Sequence, residues 1–413
     1  MSSNASDKRE KMRGGPVRGG PLQGVRVVEL TKVWAGPYAG KLFSFLGAEV
    51  IRIESEGSLD VTRTYGVADI NKAPGFQAVN PQKLSVQIDM KTKEGIDLIL
   101  DLVSKADILI ENLRPGAVRR LGLGYDKVKA VKPDIIYTSM GMYGSEGPLS
   151  YQTGYAPCFA ALGGLSSLVG YEGGAPAGMN LRYADSTFGA IAANASIVAL
   201  MHRRRTGVGQ FIDVSAVECM ASMIGDTVMD YSLNGVIHES DGNRHSDMAP
   251  HGVYPCAGGE WITLAVSSDV AWQALTVAME QPELAVNPKF VTLAQRNTNA
   301  DELDRLLSTW TATRDAAELT TLLQARGIAA GKSQSSVDMI SDEHLWLRDF
   351  YHEVTNSDGS TRPILGPGWK MSRGAQINDG APRLGEHNAY VFGDILGLSA
   401  EEQTRLAAAG ITR

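Results

Sequence analysis

Gly24-Val25-Arg26-Val27-Val28-Glu29-Leu30, then Ala35-Gly36-Pro37-Tyr38-Ala39-Gly40-Lys41-Leu42-Phe43-Ser44-Phe45-Leu46-Gly47, then Val50-Ile51-Arg52-Ile53: these stretches decide the fold. The run from Val25 to Leu30 is short, apolar and β-branched, as a buried strand is, and Gly24 precedes it. From Ala35 to Leu46 apolar residues recur at helical spacing behind Gly36 and Pro37, and Gly47 ends the run. Val50 to Ile53 is the next strand. The unit is βαβ, the start of a parallel sheet with helices on its faces.

The alternation continues. Leu84 to Ile88 reads as a strand, Glu94 to Lys105 as a helix, and Ile108 to Ile110 and Ile135 to Ser139 as strands, so a doubly wound, Rossmann-like α/β region is expected to about residue 150. Gly154 to Gly178, rich in Gly, Ala and Ser, suits a loop and a tightly packed short helix near a site. A long helix follows from about Ser186 to Arg205, stopped by Thr206 and Gly207. Beyond Pro250, Val253 to Tyr254 and Trp261 to Val266 read as paired strands around a Gly258-Gly259 turn, with helices from Val270 to Met279 and from Asp301 to Gln324. The stretch from Gly327 to Gly385 reads as extended chain crossing back. The expected organisation is a flexible tail at 1–20, a large Rossmann-like domain over 21–215, a linker at 216–249, a small α+β domain over 250–330, and a return segment, 331–413, that completes the large domain.

With 413 residues, 43 % hydrophobic and 21 % charged, the chain has the composition of a globular protein of two domains. Its net charge of -7 argues against nucleic-acid binding, which needs a concentrated basic face. No run of about eighteen uncharged apolar residues is present, and Gly189 to Met201 reads as a buried helix. No membrane or nucleic-acid partner is expected. Three scattered cysteines, Cys158, Cys219 and Cys256, suit a reducing compartment, and with no apolar signal run at the N-terminus a cytoplasmic chain is expected.

The first βα turn, Val33-Trp34-Ala35-Gly36-Pro37-Tyr38-Ala39-Gly40, stands where open α/β sheets bind ligands, and its helix N-terminus directs N–H groups at an anion. Glu54, ending the second strand, imitates the acid that holds an NAD ribose. The turn is not G-x-G-x-x-G, however, because Trp34 and Pro37 stand where pyrophosphate needs glycine, and a dinucleotide dehydrogenase is disfavoured. The histidines are scattered, with no metal-ligand spacing, and no G-x-S-x-G elbow occurs. Asp185, in Arg182-Tyr183-Ala184-Asp185-Ser186, is the carboxylate of interest. Just ahead of the long helix, the positive helix terminus is expected to lower its pKa and keep it ionised. It reads either as a carboxylate nucleophile or as a plain N-cap.

The sequence resembles the family III CoA-transferases, which include formyl-CoA transferase and whose fold relatives include the α-methylacyl-CoA racemases. The resemblance runs over nearly the whole chain from Pro21. It is carried by Pro21-Leu22-Gln23-Gly24-Val25-Arg26-Val27-Val28-Glu29-Leu30 with Ala35-Gly36-Pro37, by Leu46-Gly47-Ala48-Glu49-Val50-Ile51, and by Glu111-Asn112-Leu113-Arg114-Pro115-Gly116. Arg120-Leu121-Gly122-Leu123-Gly124-Tyr125, Arg204-Arg205-Thr206-Gly207-Val208-Gly209-Gln210, Gly327-Ile328-Ala329-Ala330-Gly331 and Leu384-Gly385-Glu386-His387 complete it. Each piece is weak alone; in this order and spacing they are specific.

The resemblance implies an interlocked dimer of ring-like subunits, a homodimer or a heterodimer with a paralogous subunit. It implies that Asp185 is the nucleophile, passing through a mixed anhydride and an aspartyl-CoA thioester, with coenzyme A and acyl-CoA as substrates and no permanent cofactor or metal. Val33, Trp34, Ala35, Ile88, Lys91, Asn112, Leu113 and Arg120 match the family's CoA contacts. Lys91 and Arg120 suit phosphates. Three positions depart from the common pattern: Leu84 follows Lys83 where many members have arginine, Ser55 replaces a basic residue, and Tyr155-Ala156 follows Gly154 where racemases carry His-Asp. A racemase needs two acid/base groups, so transfer is favoured over isomerisation; a non-catalytic partner subunit is the other alternative. Trp34, Tyr155, Phe159 and Tyr183 are the aromatic candidates for an acyl pocket, with succinyl-CoA as expected donor and a dicarboxylate or aryl-substituted succinate as acceptor.

Overall fold

The computed structural model describes residues 18–178 and 182–413. The chain divides into two compact units, one built from residues 18–166, 178–237 and 346–413, the other from 167–177 and 238–345.

In the first unit β1 (Arg26–Leu30), α1 (Ala35–Phe45), β2 (Glu49–Glu54), β3 (Leu84–Gln87), α2 (Lys93–Ser104), β4 (Ile108–Glu111), α3 (Tyr125–Val131) and β5 (Ile136–Gly141) follow in turn. Then come α4 (Ala156–Leu162), α5 (Tyr183–Thr206), β6 (Gln210–Ser215), α6 (Ala216–Ala221) and α7 (Gly225–Asn234). The sheet has six strands in the order β3-β2-β1-β4-β5-β6, all parallel, with Val27 level with Val50 on one side and with Ile108 on the other. The order reverses between β1 and β4, the place where such sheets leave a crevice at their carboxyl ends.

Both faces of the sheet are covered, which is why its strands read as near-continuous apolar runs. Val27, Val50, Ile108 and Ile136 pack against Phe43 of α1 and Phe188 and Ala192 of α5. Their sequence neighbours Val28, Ile51, Leu109 and Tyr137 point the other way, against Leu98, Ile99 and Leu102 of α2 and Val128 of α3. The α1–α5 contact depends on Gly189, where a Cβ would stand 2.4 Å from the Ala35 carbonyl oxygen. Beneath α1, Glu29, Arg52, Asp60 and Lys83 form a buried ion network that continues through Glu54 to Arg63. At Gly40 a side chain would collide with the Glu29 carboxylate.

The second unit contains β7 (His251–Pro255), β8 (Trp261–Ala265), α8 (Asp269–Ala278), α9 (Ala300–Thr311), α10 (Ala316–Gln324) and β9 (Ala329–Lys332), with an antiparallel sheet ordered β7-β8-β9. Its core gathers Tyr254, Leu264, Trp272, Phe290, Leu307 and Leu319. In the returning segment β10 (Tyr351–Thr355) and β11 (Thr361–Leu365) form a hairpin, and α11 (Ala400–Ala408) completes the first unit.

Several boundaries differ from expectation. The stretch read as a linker, 216–249, contains α6 and α7, because Ser215 caps a fresh helix by accepting from the Glu218 N–H. The helix read from Asp301 to Gln324 is two, broken where Asp315 caps α10. The small unit runs on to Leu345, since β9 pairs with β8, and the extended return contains a hairpin. Residues 18–20 are not tail: Arg18 is buried and donates to the Gln82 carbonyl at 2.5 Å and to Asp379 at 2.8 Å. The rest of the expected tail, 1–17, lies outside the described residues. By length and composition α5 passes the test for a membrane span. In the fold, however, Ala184, Phe188, Ala192, Ala199 and Leu200 on one side of it form core.

Candidate functional site

At the carboxyl ends of the strands a cavity of about 730 Å³ opens in the first unit. Its floor follows the sheet order. Lys32, Val33, Trp34 and Ala35 come from the turn between β1 and α1, Ser55 and Ser58 from beyond β2, and Asp89 and Lys91 from beyond β3; Asn112, Leu113, Arg114 and Arg120 follow β4. On the β5 side the lining turns apolar, with Met140, Met142, Tyr155, Phe159 and Phe188, and Asp185 stands among them. The topology therefore separates a cationic half, over β3 to β4, from an apolar half next to α4 and α5.

The β1–α1 turn is held closely. Asn112 Oδ1 accepts from the Lys32 N–H at 2.7 Å, and its Nδ2 donates to the Lys32 carbonyl at 2.8 Å. The Val33 N–H donates to Asp60, 3.1 and 3.2 Å from the two carboxylate oxygens. Lys32 Nζ donates to the Ser58 carbonyl and hydroxyl; burial lowers its pKa, with Asp60 opposing. Trp34 occupies the N-cap of α1 with no side-chain cap, so that end of the helix offers backbone N–H groups at the cavity. The Trp34 indole N–H donates to the Ser186 hydroxyl at 3.1 Å, and the Arg182 guanidinium lies over its ring at 4.3 Å. The first turn and the start of α5 are thereby joined beside Asp185.

Asp185 is the third residue of α5, whose N-cap is Arg182. The plain-cap reading is thus corrected: the helix begins earlier than the sequence suggested and carries Asp185 inside its first turn. The expected low pKa is corrected as well. Burial raises the carboxyl to about 6, with Arg182 pulling weakly the other way, because desolvating the charged form outweighs one partly exposed cation. At neutral pH the group is mostly ionised yet poorly solvated, the condition in which a carboxylate is a better nucleophile.

Of the residues singled out in the sequence, Val33, Trp34, Ala35, Lys91, Asn112, Leu113, Arg120, Tyr155, Phe159 and Asp185 all line this one cavity. Ile88 does not. It shares the alternation of Leu84 and Val86, so its fully buried side chain joins the core on the opposite face of the sheet. Tyr183 is also absent from the lining. Glu54 is no ribose acid: burial would raise its pKa, but Arg52, Arg63 and Ser85 together hold it at about 2. Sequence reasoning missed Lys32, Met140, Met142 and Phe188, which sit at strand ends or on a helix face and carry no motif. Asp60 was missed too; only its place two residues before Thr62, whose N–H and hydroxyl it accepts, marks it as a loop anchor. Among the described residues no group of His, Cys, Asp and Glu could hold a metal ion.

The family model for "CoA-transferase family III" matches residues 22–388. A succinyl-CoA–D-citramalate CoA-transferase of Chloroflexus aurantiacus is 32% identical over 391 residues, covering 94% of this chain and 97% of that protein. A succinate–glutarate CoA-transferase of Agrobacterium fabrum is 30% identical, covering 92% and 97%. Among solved structures, a CAIB/BAIF family protein from Brucella suis superposes with a TM-score of 0.85 at 31% identity, covering 92% of this chain and all of that one.

Proposed function

Because this chain belongs to the family III CoA-transferases, we propose that it moves CoA from succinyl-CoA to a dicarboxylic acid, with Asp185 as the covalent carrier. The observation that carries this reading is Asp185 itself, a half-buried, ionisable carboxylate in one cavity with Lys32, Lys91, Arg114 and Arg120. Those cations suit the phosphates of a CoA nucleotide, and the apolar half beside α4 and α5 suits pantetheine and the acyl chain. The donor and the acceptor class are drawn from what the citramalate and glutarate relatives are named for.

The chemistry balances without an outside reagent. The Asp185 carboxylate attacks the donor's thioester carbonyl, the C–S bond breaks, and CoA thiolate leaves a mixed anhydride. The thiolate then attacks the aspartyl carbonyl, releasing succinate and forming an aspartyl-CoA thioester. The acceptor's carboxylate attacks that thioester and expels the thiolate again, which finally attacks the acceptor's carbonyl and frees Asp185. Keeping the thiolate bound in the cavity retains the thioester's energy through the exchange. Proton abstraction of the racemase kind is not supported, since no histidine lines the cavity among the described residues.

The test is trapping. Incubation with succinyl-CoA and then hydroxylamine, followed by peptide mass spectrometry, is expected to place a hydroxamate on Asp185. Asp185→Ala is expected to lose at least about a thousandfold in transfer rate while staying folded. Near-normal turnover in that variant, or label on another residue, would defeat the assignment.

We also infer a dimer of this chain. The support is α7, ten residues long with no buried member and with Val228, Met229, Tyr231 and Leu233 exposed. A helix of that length with none of its residues buried is marginal in water, and a second copy is the occupant that the family resemblance supplies.

A further inference from the structure

Among the described residues, non-glycine residues with positive φ are Val33, Gln82, Glu280 and Asp349. Val33, at φ 71°, is the β-branched one and the one that lines the cavity. A β-branched side chain in the left-handed region is a true conformational outlier, kept only where its surroundings over-determine it. The surroundings here do so from both sides of β1. Asn112, at the end of β4, closes on Lys32 with both ends of its amide, at 2.7 and 2.8 Å. Asp60, from the β2 side, accepts the Val33 N–H. Asp60 is itself immobilised, 1 % exposed, ion-paired to Arg52 and accepting from the Thr62 N–H at 2.9 Å and its hydroxyl at 2.8 Å.

We propose that Asn112 and Asp60 are positioning residues whose task is to hold Val33 in its strained turn, so that the backbone of Val33 to Ala35 is presented to the acyl-CoA. This rests on the reading of the cavity as the CoA site. It gives Asn112 a role different from that of a ligand contact, since its carbonyl oxygen and one N–H are already committed to Lys32. It also explains why the strain sits here. Trp34 must reach Ser186 while the first N–H groups of α1 stay turned to the cavity, and a relaxed Val33 would swing both away.

A rescue experiment separates positioning from contact. Asn112→Ala is expected to raise the KM for succinyl-CoA and the Kd for coenzyme A, read by calorimetry, about tenfold, with kcat changed less than threefold. In a Val33→Gly background the same Asn112→Ala change is expected to cost less than about threefold, because glycine holds φ near 70° without strain and has no cause to relax when the clamp is removed. Should Asn112→Ala fail to fold, Asn112→Ser takes its place in the same cycle. An unchanged Kd in Asn112→Ala, or an equal loss in both backgrounds, would overturn the proposal. If wild type itself neither binds coenzyme A nor turns over succinyl-CoA, the functional reading has failed instead, which is a distinguishable result.

Discussion

In the first turn of α5 Asp185 holds its charge at a disadvantage, and the sign of that disadvantage can be measured. Its folded pKa, about 6, lies above the ordinary 3.8, so the folded state favours the protonated form. The cost of burying the charge is absent below about pH 4, grows between 4 and 6, and is fully present above 6. Asp185→Asn, which cannot ionise, is therefore expected to be more stable than wild type at pH 8, by on the order of 2 kcal/mol, the free energy of a shift of this size after partial solvent screening. Denaturant melts at pH 8 and pH 4 check this, and the advantage should vanish at the lower pH; a variant no more stable at pH 8 would show that burial is not what moves the group. If Asp185 carries the proposed chemistry, transfer by wild type should correspondingly fall as pH drops through 6 and its carboxylate takes up a proton. The sequence marked Asp185 as a candidate because its neighbours fit a family pattern, whereas its pKa was not legible: Arg182 and the helix terminus can be read off a sequence, but desolvation depends on what distant segments, such as those carrying Trp34 and Phe159, bring to the same cavity. The direction of the Ile88 side chain was missed for the opposite reason. A motif match placed it near the ligand, but the two-residue alternation with Leu84 and Val86 turns it into the core.

At the scale of elements, β1, α1 and β2 could be read almost to the residue, because short apolar strands and a helix ended by glycine leave few alternatives. The start of α5 was three residues off, since Tyr183-Ala184-Asp185 has no propensity signal that beats its context, and the break at Asp315 was overlooked because the apolar period runs through it. What no local pattern reveals is how close two helices come. Gly189 lets α5 approach the amino end of α1, and a methyl there would lie 2.4 Å from the Ala35 carbonyl oxygen and 3.2 Å from the Ala39 nitrogen. Backbone atoms cannot step aside as a side-chain tip can. Gly189→Ala would by helix propensity alone stabilise the protein by about 1 kcal/mol. The overpacking is expected to reverse that sign, for a net loss of about 1–3 kcal/mol in urea unfolding. A KM for succinyl-CoA raised in parallel is also expected, because the Trp34–Ser186 bond spans the same contact. A neutral or stabilised variant would show that the helices do not pack this closely.

For the whole molecule, the legible part was the class of each region, a doubly wound sheet followed by a smaller α+β unit; the illegible part was which surfaces stay bare. Apolar residues on α7 read no differently from core residues, and only the fold shows them outside. Leu233 is 72% exposed and Ile237 just beyond it 74%, with Tyr231 at 61%, a run of large apolar side chains in one short segment, of the kind that marks an interaction surface. If a second copy covers this face, Leu233→Glu with Ile237→Glu should lower the dimer fraction seen by light scattering and reduce thermal stability, since burying two unpaired carboxylates in an interface is costly. The interlocked arrangement expected from the family makes a sharper demand, because two threaded chains separate only when at least one unfolds. Dilution should then leave the native mass at twice that of the chain, and loss of the dimer should coincide with loss of helical signal in denaturant, in a transition that shifts upward with protein concentration. A folded monomer appearing on dilution, with its circular dichroism intact, would rule out the threading while leaving the chemistry proposed for Asp185 untouched.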